Sequence, residues 1–415
     1  LGVYDLETKE THFMKTGEPA EQYLTNIAWS PDEKSVFIAV LNRGQDHMKL
    51  NQYKAKSGEF VKTLFEETHE KYVEPMHPMM FLKSNPEEFI WQSRRDGYNH
   101  LYHYDVSGKL IEQLTRGEYE VTDVLGFSKD EKFLFIESTK ESPIERHTYK
   151  LEMQNSKLTQ LTSISGWHQS APSASGKYIL DRYESTKVPR EYNLVNAEGK
   201  KIRRLLKAEN PLKDYHIGEM EIFTIKAADG ETDLYCRLIK PENFDENKKY
   251  PAIVYVYGGP HAQLVTNTWL GGARMWNFYM AQEGYVMLTV DNRGSAGRGL
   301  EFENIIHRKL GVHEVDDQMQ GIEYLKKLDY VDKDRIGAHG WSYGGFMTIS
   351  LMLKYPEIFK VGVAGGPVTD WKFYEVMYGE RYMDTPEENP EGYENACLLD
   401  KIGKLEGRLL AIHGG

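Results

Sequence analysis

The pentapeptide Gly340-Trp341-Ser342-Tyr343-Gly344 limits what this chain can fold into more than any other stretch. It has the form G-x-S-x-G. The apolar run Arg335-Ile336-Gly337-Ala338-His339 precedes it, and Phe346 to Lys354 follows with a helix-like pattern. Strand, sharp turn and helix are the context in which such a turn lifts a serine hydroxyl above a sheet. The turn strains the serine backbone, and the glycines keep side chains out of the crowded junction of strand and helix. The pentapeptide alone is a weak signal, because its residue types are common. The strand, the helix and the extra Gly345 favour a nucleophile elbow over a structural serine turn.

The surrounding half, residues 213–415, supplies a matching framework. Met220 to Ile225 and Leu234 to Ile239 read as strands around a turn at Asp229-Gly230. Buried apolar runs follow at Ala252 to Tyr257, Val286 to Val290, the elbow strand, Val361 to Ala364 and Leu409 to His413. Helices lie between them, one of them amphipathic over Val315 to Leu328. Continuous apolar runs separated by helices predict a parallel sheet covered on both faces.

Acyl transfer needs donors for the oxyanion that develops on the substrate carbonyl. The backbone N–H of Tyr343, after the nucleophile, is one. The loop Tyr257-Gly258-Gly259-Pro260-His261 follows the early strand from which the second donor comes. A tyrosine precedes the glycines there, so its hydroxyl is a candidate donor; the alternative is an ordinary core tyrosine before a turn. Further along, Trp371, Tyr374 and Tyr378 are spaced three and four residues apart, which predicts three aromatics on one helical face. Such a stripe is usually core. This one begins where a strand ends, the place where α/β sheets bind ligands. Glu375 borders the same face and could anchor a cation such as a free amino terminus; otherwise it is a solvated carboxylate.

An elbow serine needs a base and an orienting acid, expected in the order Ser, Asp, His. Neither His339, on the elbow strand, nor His413, at a strand end, fits that order. The acid and base are expected beyond Gly415. Leu1-Gly2-Val3-Tyr4-Asp5 reads as the middle of a hairpin, and Leu409 to His413 as a buried strand that stops at its own loop. The chain therefore reads as truncated at both ends, and this span is expected to be inactive by itself.

Residues 1–212 repeat at a period of roughly 45 to 50 residues. One phase reads Ala28 to Ile38, then Met80 to Ile90, Gly126 to Ile136 and Ala171 to Leu180. A second reads Gln52 to Val61, Tyr102 to Ile111, Tyr149 to Leu158 and Tyr192 to Lys201. Each is a strand pair around a polar turn. Four strands per repeat predict about four blades of a β-propeller, with a β-sandwich array as the alternative. Trp167, His168, Arg94 and Arg95 could line a channel there, although blade packing is the commoner use of such residues.

At 415 residues the chain is long enough for two domains, here 1–212 and 213–415. A net charge of −12 argues against nucleic acid or an anionic membrane as partner. No apolar run reaches membrane-spanning length. Cys236 and Cys397 give neither a disulfide framework nor metal spacing and are expected as buried thiols. No metal or cofactor is indicated.

Several stretches together carry a resemblance: Gly340 to Gly345, Tyr257 to Pro260, Asp291-Asn292-Arg293-Gly294-Ser295, Tyr378-Gly379-Glu380-Arg381-Tyr382, and in the first half Tyr72-Val73-Glu74-Pro75 and Trp91 to Gly97. They are similar to the prolyl oligopeptidase family of serine peptidases, in the branch of dipeptidyl peptidase IV and prolyl tripeptidyl peptidases. Phe346-Met347-Thr348, Val361 to Pro367 and Glu388 to Tyr393 fit the tripeptidyl members better. The resemblance implies an eight-bladed propeller, seen here in part, capping an α/β-hydrolase domain. It implies Ser342 as nucleophile, the Tyr257 hydroxyl and the Tyr343 N–H as oxyanion donors, and a proline-sized pocket from Tyr343, Val368, Trp371, Tyr374 and Tyr378. Glu375 would help hold the substrate's amino terminus. The implied activity is release of Xaa-Xaa-Pro tripeptides from peptides with a free amino terminus. An Xaa-Pro dipeptidyl peptidase is the alternative, and a propeller binding module with an inactive hydrolase is the reading from a different class. An enzyme outside the cytoplasm and a homodimer are also implied.

Overall fold

The computed structural model of the chain describes residues 1–414. A two-stranded hairpin, β1 (Gly2–Tyr4) and β2 (Thr11–Phe13), opens it. Four four-stranded antiparallel sheets follow. The first holds β3 (Gln22–Trp29), β4 (Ser35–Asn42), β5 (His47–Lys54) and β6 (Phe60–Thr68). The second holds β7 (Met80–Phe81), β8 (Glu88–Ser93), β9 (His100–Asp105) and β10 (Leu110–Gln113). The third holds β11 (Val121–Phe127), β12 (Phe133–Ser138), β13 (His147–Glu152) and β14 (Leu158–Gln160). The fourth holds β15 (Trp167–Pro172), β16 (Tyr178–Ser185), β17 (Val188–Asn196) and β18 (Lys201–Lys207).

The repeated turn has a local cause. Ser30 accepts the N–H of Glu33 on its carbonyl at 2.9 Å, and its hydroxyl donates to Asp32 at 2.7 Å. Ser128, Glu131 and Asp130 repeat this at 2.8 Å for both bonds. Glu33, Glu131 and Gly176 then occupy the same left-handed position, with φ of 60°, 52° and 67°. The strands alternate faces with a period of two. Phe89 and Trp91 of β8 join Phe37, Ala39 and Leu41 in the core between the first and second sheets. Ile90, between them in sequence, joins Leu134 and Ile136 in the core between the second and third. Phe135 and Ile179 begin the next layer. Successive sheets thus stack face to face, as propeller blades do. Each fully buried aromatic contributes about 1.5–3 kcal/mol.

The second half is a seven-stranded sheet: β19 (Met220–Lys226), β20 (Asp233–Ile239), β21 (Tyr250–Tyr255), β22 (Val286–Val290), β23 (Val331–Trp341), β24 (Phe359–Gly365) and β25 (Arg408–Ile412), in the order β19-β20-β22-β21-β23-β24-β25. The five strands from β22 to β25 run parallel, but β20 pairs antiparallel with both β19 and β22. The sheet is therefore mixed, where the apolar runs predict only the parallel part. Its helices are α1 (Met275–Gln282), α2 (Leu300–Asn304), α3 (His313–Lys327), α4 (Tyr343–Lys354), α5 (Val376–Met383) and α6 (Pro390–Ala396).

One expectation is corrected here. The strand at Leu409 to His413 is not buried: β25 is an edge strand, Leu410 is 57 % exposed and Val361 of β24 is 49 % exposed. An apolar run predicts a strand, but its burial depends on what else packs against the sheet. Cys236 and Cys397 are both buried free thiols. No described helix is long and apolar enough to cross a membrane.

Candidate active site

Ser342 joins β23 to α4 with φ 59° and ψ −118°, a conformation that costs a non-glycine residue about 1–3 kcal/mol. It is held there by the Ser342 N–H, which donates to the Gly365 carbonyl at 2.7 Å. The flanking glycines are sterically required. A Cβ on Gly340 would lie 2.3 Å from the Val256 carbonyl oxygen, and one on Gly344 would lie 2.2 Å from the same atom.

Tyr343 is the first residue of α4, so its N–H has no acceptor within the helix and stands at the positive end of the helix dipole. Its ring is buried, and its hydroxyl donates to Glu314 of α3. Glu314 is wholly buried. It also accepts the Gly311 N–H at 3.0 Å, and its second carboxyl oxygen has no partner. Burial pushes its pKa up to about 7, partly offset by the Gly311 and Tyr343 hydrogen bonds. An acid raised in this way leaves the fold most stable below its ordinary value of 4.5, and stability is lost as pH climbs to about 7. Glu314→Gln removes this dependence. Urea unfolding at about pH 4 and about pH 8 should therefore show the variant gaining on the wild type by ~3 kcal/mol at the higher pH. A pH-independent difference would contradict it.

Tyr257 follows β21, half-buried, with its ring centroid 6.1 Å from that of Tyr343. Burial and the Tyr374 phenol raise its pKa, while the facing Ser342 hydroxyl partly offsets them. The phenol therefore keeps its proton near neutrality and can donate it in a hydrogen bond. The next two residues must be glycine: Gly258 has φ 76°, and a Cβ on Gly259 would meet the Tyr343 ring at 2.6 Å. Asn292 holds the loop by donating to the Gly258 carbonyl at 2.9 Å, and Gln318 of α3 fixes Asn292 by donating to its Oδ1 at 2.8 Å. In the whole natural polypeptide, a Tyr257 hydroxyl that serves as oxyanion donor predicts that Tyr257→Phe lowers kcat for acyl transfer at Ser342 by on the order of 10²–10³-fold with little change in KM. Steady-state kinetics that moved KM instead would assign Tyr257 to substrate binding.

The aromatic stripe is not on one helix. Trp371–Phe373 form a 3-10 turn capped by Asp370, which accepts the Lys372 N–H at 3.0 Å. The chain is extended at Tyr374 and Glu375 before α5 begins. Glu375 is the cap of α5: its two carboxylate oxygens accept from Tyr378 N at 2.8 Å and Met377 N at 3.0 Å. Two side-chain caps break what the spacing presents as a single helix. The three rings nevertheless meet. Trp371 stacks on Tyr378 with centroids 5.9 Å apart, and Tyr374 meets Trp371 at 5.5 Å and Tyr378 at 5.3 Å. Tyr343 closes the group 5.4 Å from Trp371. Val368 is partly buried against the same core. The result is an aromatic wall beside Ser342, with Glu375 exposed at its rim.

The histidines and channel candidates lie elsewhere. His339 bonds to the Val363 carbonyl at 2.9 Å and packs on Trp276, and His413 is exposed. Among the described residues no imidazole is hydrogen-bonded to Ser342. His168 is buried against Asp181 at 2.9 Å, and Trp167 packs under Arg146. Arg95 pairs with Glu67, and Arg94 bridges Glu120 and Glu303 between the two halves. These four residues serve packing and ion pairing, though Arg94 and Arg95 also border a cavity of about 210 Å³ where the halves meet. Glu74, His261 and Glu303 approach one another within 4.8 Å. Arg381 and Arg94 already neutralise the two carboxylates, so the trio makes a poor cation site.

No motif in the sequence marks Glu314, Asp317 or Gln318, and Asn292 enters only as part of the stretch Asp291 to Ser295. A signal was present. Glu314, Asp317 and Gln318 share the stripe of Val315, Ile322 and Leu325 on α3, and polar residues on a buried helical face need partners.

A serine elbow between a parallel strand and a helix, with a tyrosine loop and an aromatic wall beside it and stacked antiparallel sheets preceding it, defines an α/β-hydrolase domain joined to a propeller-like one. The chain belongs to the prolyl oligopeptidase family, in its dipeptidyl peptidase IV branch. Residues 1–190 match the dipeptidyl peptidase IV N-terminal region, and residues 273–415 match the prolyl oligopeptidase family. Mouse dipeptidyl peptidase 8 is 31% identical, over 95% of this chain and 51% of the relative. A Bacteroides ovatus protein named as a candidate dipeptidyl aminopeptidase IV is 49% identical. Its crystal structure superposes with a TM-score of 0.94, over 99% of this chain and 61% of that one. Porphyromonas gingivalis dipeptidyl peptidase 4 is 31% identical with a TM-score of 0.90, over 99% and 58%. The chain spans about half the length of the curated relatives it matches.

Proposed function

We propose that the protein is a serine exopeptidase that cleaves after proline near the free amino terminus of peptides. Ser342 Oγ attacks the carbonyl carbon of the proline residue; the C–N bond to the next residue breaks, the shortened peptide leaves with a new amino terminus, and water then hydrolyses the acyl-enzyme on Ser342. The developing oxyanion sits between the Tyr257 hydroxyl and the Tyr343 N–H. The observation that carries the reading is the cluster of Tyr343, Trp371, Tyr374 and Tyr378 beside the serine. Proline is compact and rigid and has no N–H to satisfy, so flat aromatic walls suit it. Ser342 also needs a base to take its proton. With no imidazole bonded to it among the described residues, residues 1–415 alone are expected to show no turnover.

The released product is proposed to be an Xaa-Xaa-Pro tripeptide. The tripeptidyl-like stretches Phe346 to Thr348 and Glu388 to Tyr393 support it, as does exposed Glu375 at the pocket rim. Two observations favour the dipeptidyl reading instead. The named relatives are dipeptidyl peptidases. Both Glu375 oxygens already accept backbone N–H groups, which weakens their claim on a substrate amine. The test uses the whole natural polypeptide that carries these residues, with Ala-Ala-Pro-anilide and Gly-Pro-anilide. Preference for the first supports the tripeptidyl reading, and preference for the second the dipeptidyl one. Cleavage of neither would sink the proline pocket and leave the binding-module reading.

A further inference from the structure

We propose that Glu74 is a positioning residue for cleavage: one carboxylate from the N-terminal sheets that holds both the oxyanion loop, through His261, and the aromatic-wall helix α5, through Arg381. The inference rests on the reading of Tyr257 and Tyr378 as parts of the reactive site. Glu74 lies in the connection between β6 and β7. Its Oε1 accepts from His261 Nε2 at 2.9 Å and from Arg381 Nη1. His261 stands four residues after Tyr257, and Arg381 three residues, nearly one helical turn, after Tyr378. The same oxygen is therefore tied to both sides of the site.

The two attachments differ in what else supports them. Helix α5 has further ties to the first sheet. Gln45 accepts from Arg381 Nε at 2.9 Å and donates to the Met377 carbonyl at 2.7 Å, and Arg43 forks onto Glu380 at 2.8 and 2.9 Å. The His261 side chain has Glu74 as its hydrogen-bond partner, while its backbone sits at φ 59°, where a residue with a side chain is strained. A strained loop residue keeps its conformation only while its surroundings hold it. Release of Glu74 would let the Tyr257 loop relax relative to α5. A displacement of about 1 Å in a reacting geometry can cost about 10²-fold in rate.

The charges are arranged for the pair. Hydrogen bonding to Glu74 raises the His261 pKa above its ordinary 6.5, against burial, with Glu303 adding to the rise and Arg94 opposing it. Burial acts to raise the pKa of Glu74, but His261, Arg381 and Arg94 outweigh it and hold it below the usual range. The buried hydroxyl of Tyr382 adjoins the same cluster. The attraction is therefore full while His261 is cationic and weakens as pH rises through its raised pKa, when only a neutral hydrogen bond remains.

The test has two arms, both on the whole natural polypeptide. In the first, His261 is titrated by ¹⁵N NMR in a Ser342→Ala background, with and without Glu74→Gln. The His261 pKa should fall toward its ordinary value in the double variant, and an unchanged titration overturns the pairing whatever the activity. In the second, kinetics are measured on whichever proline anilide the wild type cleaves. Glu74→Gln and His261→Gln should each lower kcat/KM by about 10–100-fold, mostly in kcat, with thermal unfolding little changed. The alkaline decline that follows His261 in the wild type should be absent from His261→Gln. Values within about twofold of wild type in both variants would overturn the positioning role. If the wild type cleaves neither anilide, the functional reading fails and takes the positioning role with it, while the NMR arm still decides whether the clamp exists. The isosteric Glu74→Gln carries the test even where Glu74→Ala fails to fold.

Discussion

Ser342→Ala in the whole natural polypeptide is expected to lower kcat for post-proline cleavage by on the order of 10⁶-fold, with peptide affinity within a few-fold of wild type. The size of the loss follows from what the residue does. The hydroxyl supplies the bond-forming oxygen, so its removal leaves only binding and oxyanion stabilisation, which together account for about 10³–10⁴ over water. Affinity survives because the aromatic wall and the Tyr343 N–H do not depend on the hydroxyl. The strained conformation at φ 59° tolerates alanine no worse than serine, so the variant should fold. Single-turnover assays with a proline anilide, paired with calorimetry of peptide binding, measure both halves of the prediction. A loss below tenfold would mean that another nucleophile does the chemistry.

The largest stability effect should come from Asp317→Ala, which is expected to cost about 3–5 kcal/mol. Asp317 lies on α3 with no exposed surface. It accepts from Arg293 at three nitrogens, Nε at 2.9 Å, Nη2 at 2.8 Å and the backbone N at 2.9 Å, and from the Ala228 N–H at 3.0 Å. Without it the buried guanidinium keeps only Asp229, at 2.9 Å. Most of the cost is therefore that of leaving a charge buried with too few partners. The damage should also reach the site. Arg293 follows Asn292, whose amide holds the Gly258 carbonyl beside Tyr257. Urea unfolding should show the loss, and a change below about 1 kcal/mol would mean that the pair is solvated in solution.

The arrangement of Asp317, Arg293, Asn292 and Gly258 shows how the site is built. Few of its residues touch the reacting atoms, and several of the groups around them are held by polar partners, most of them buried and on another element. Tyr343 is held by Glu314, the Gly258 carbonyl by Asn292, which Gln318 fixes in turn, and the turn that carries Trp371 by its own Asp370 cap. These supports are spread over α3, the loop after β22 and the segment after β24.

Much of this was legible in the chain itself. The elbow was, because strand, turn and helix are consecutive and their glycines are demanded by local sterics at Gly340 and Gly344. The four stacked sheets were, because their turns repeat a short pattern around Ser30, Asn85, Ser128 and Ser173, and because alternation within a strand such as Phe89-Ile90-Trp91 assigns faces with no knowledge of what lies opposite. The capping of α5 by Glu375 was not. A glutamate at that spacing reads equally as a helix-face residue or as a cap, and only the folded turn brings the Met377 and Tyr378 N–H groups to its carboxylate. Glu74, His261 and Arg381 are the clearest case: 187 and 307 residues separate the carboxylate from its two partners. Periodicity and turn chemistry act over a few residues and are written in the sequence. The partner of a buried charge is chosen by how distant segments pack, and only the tertiary structure makes that choice.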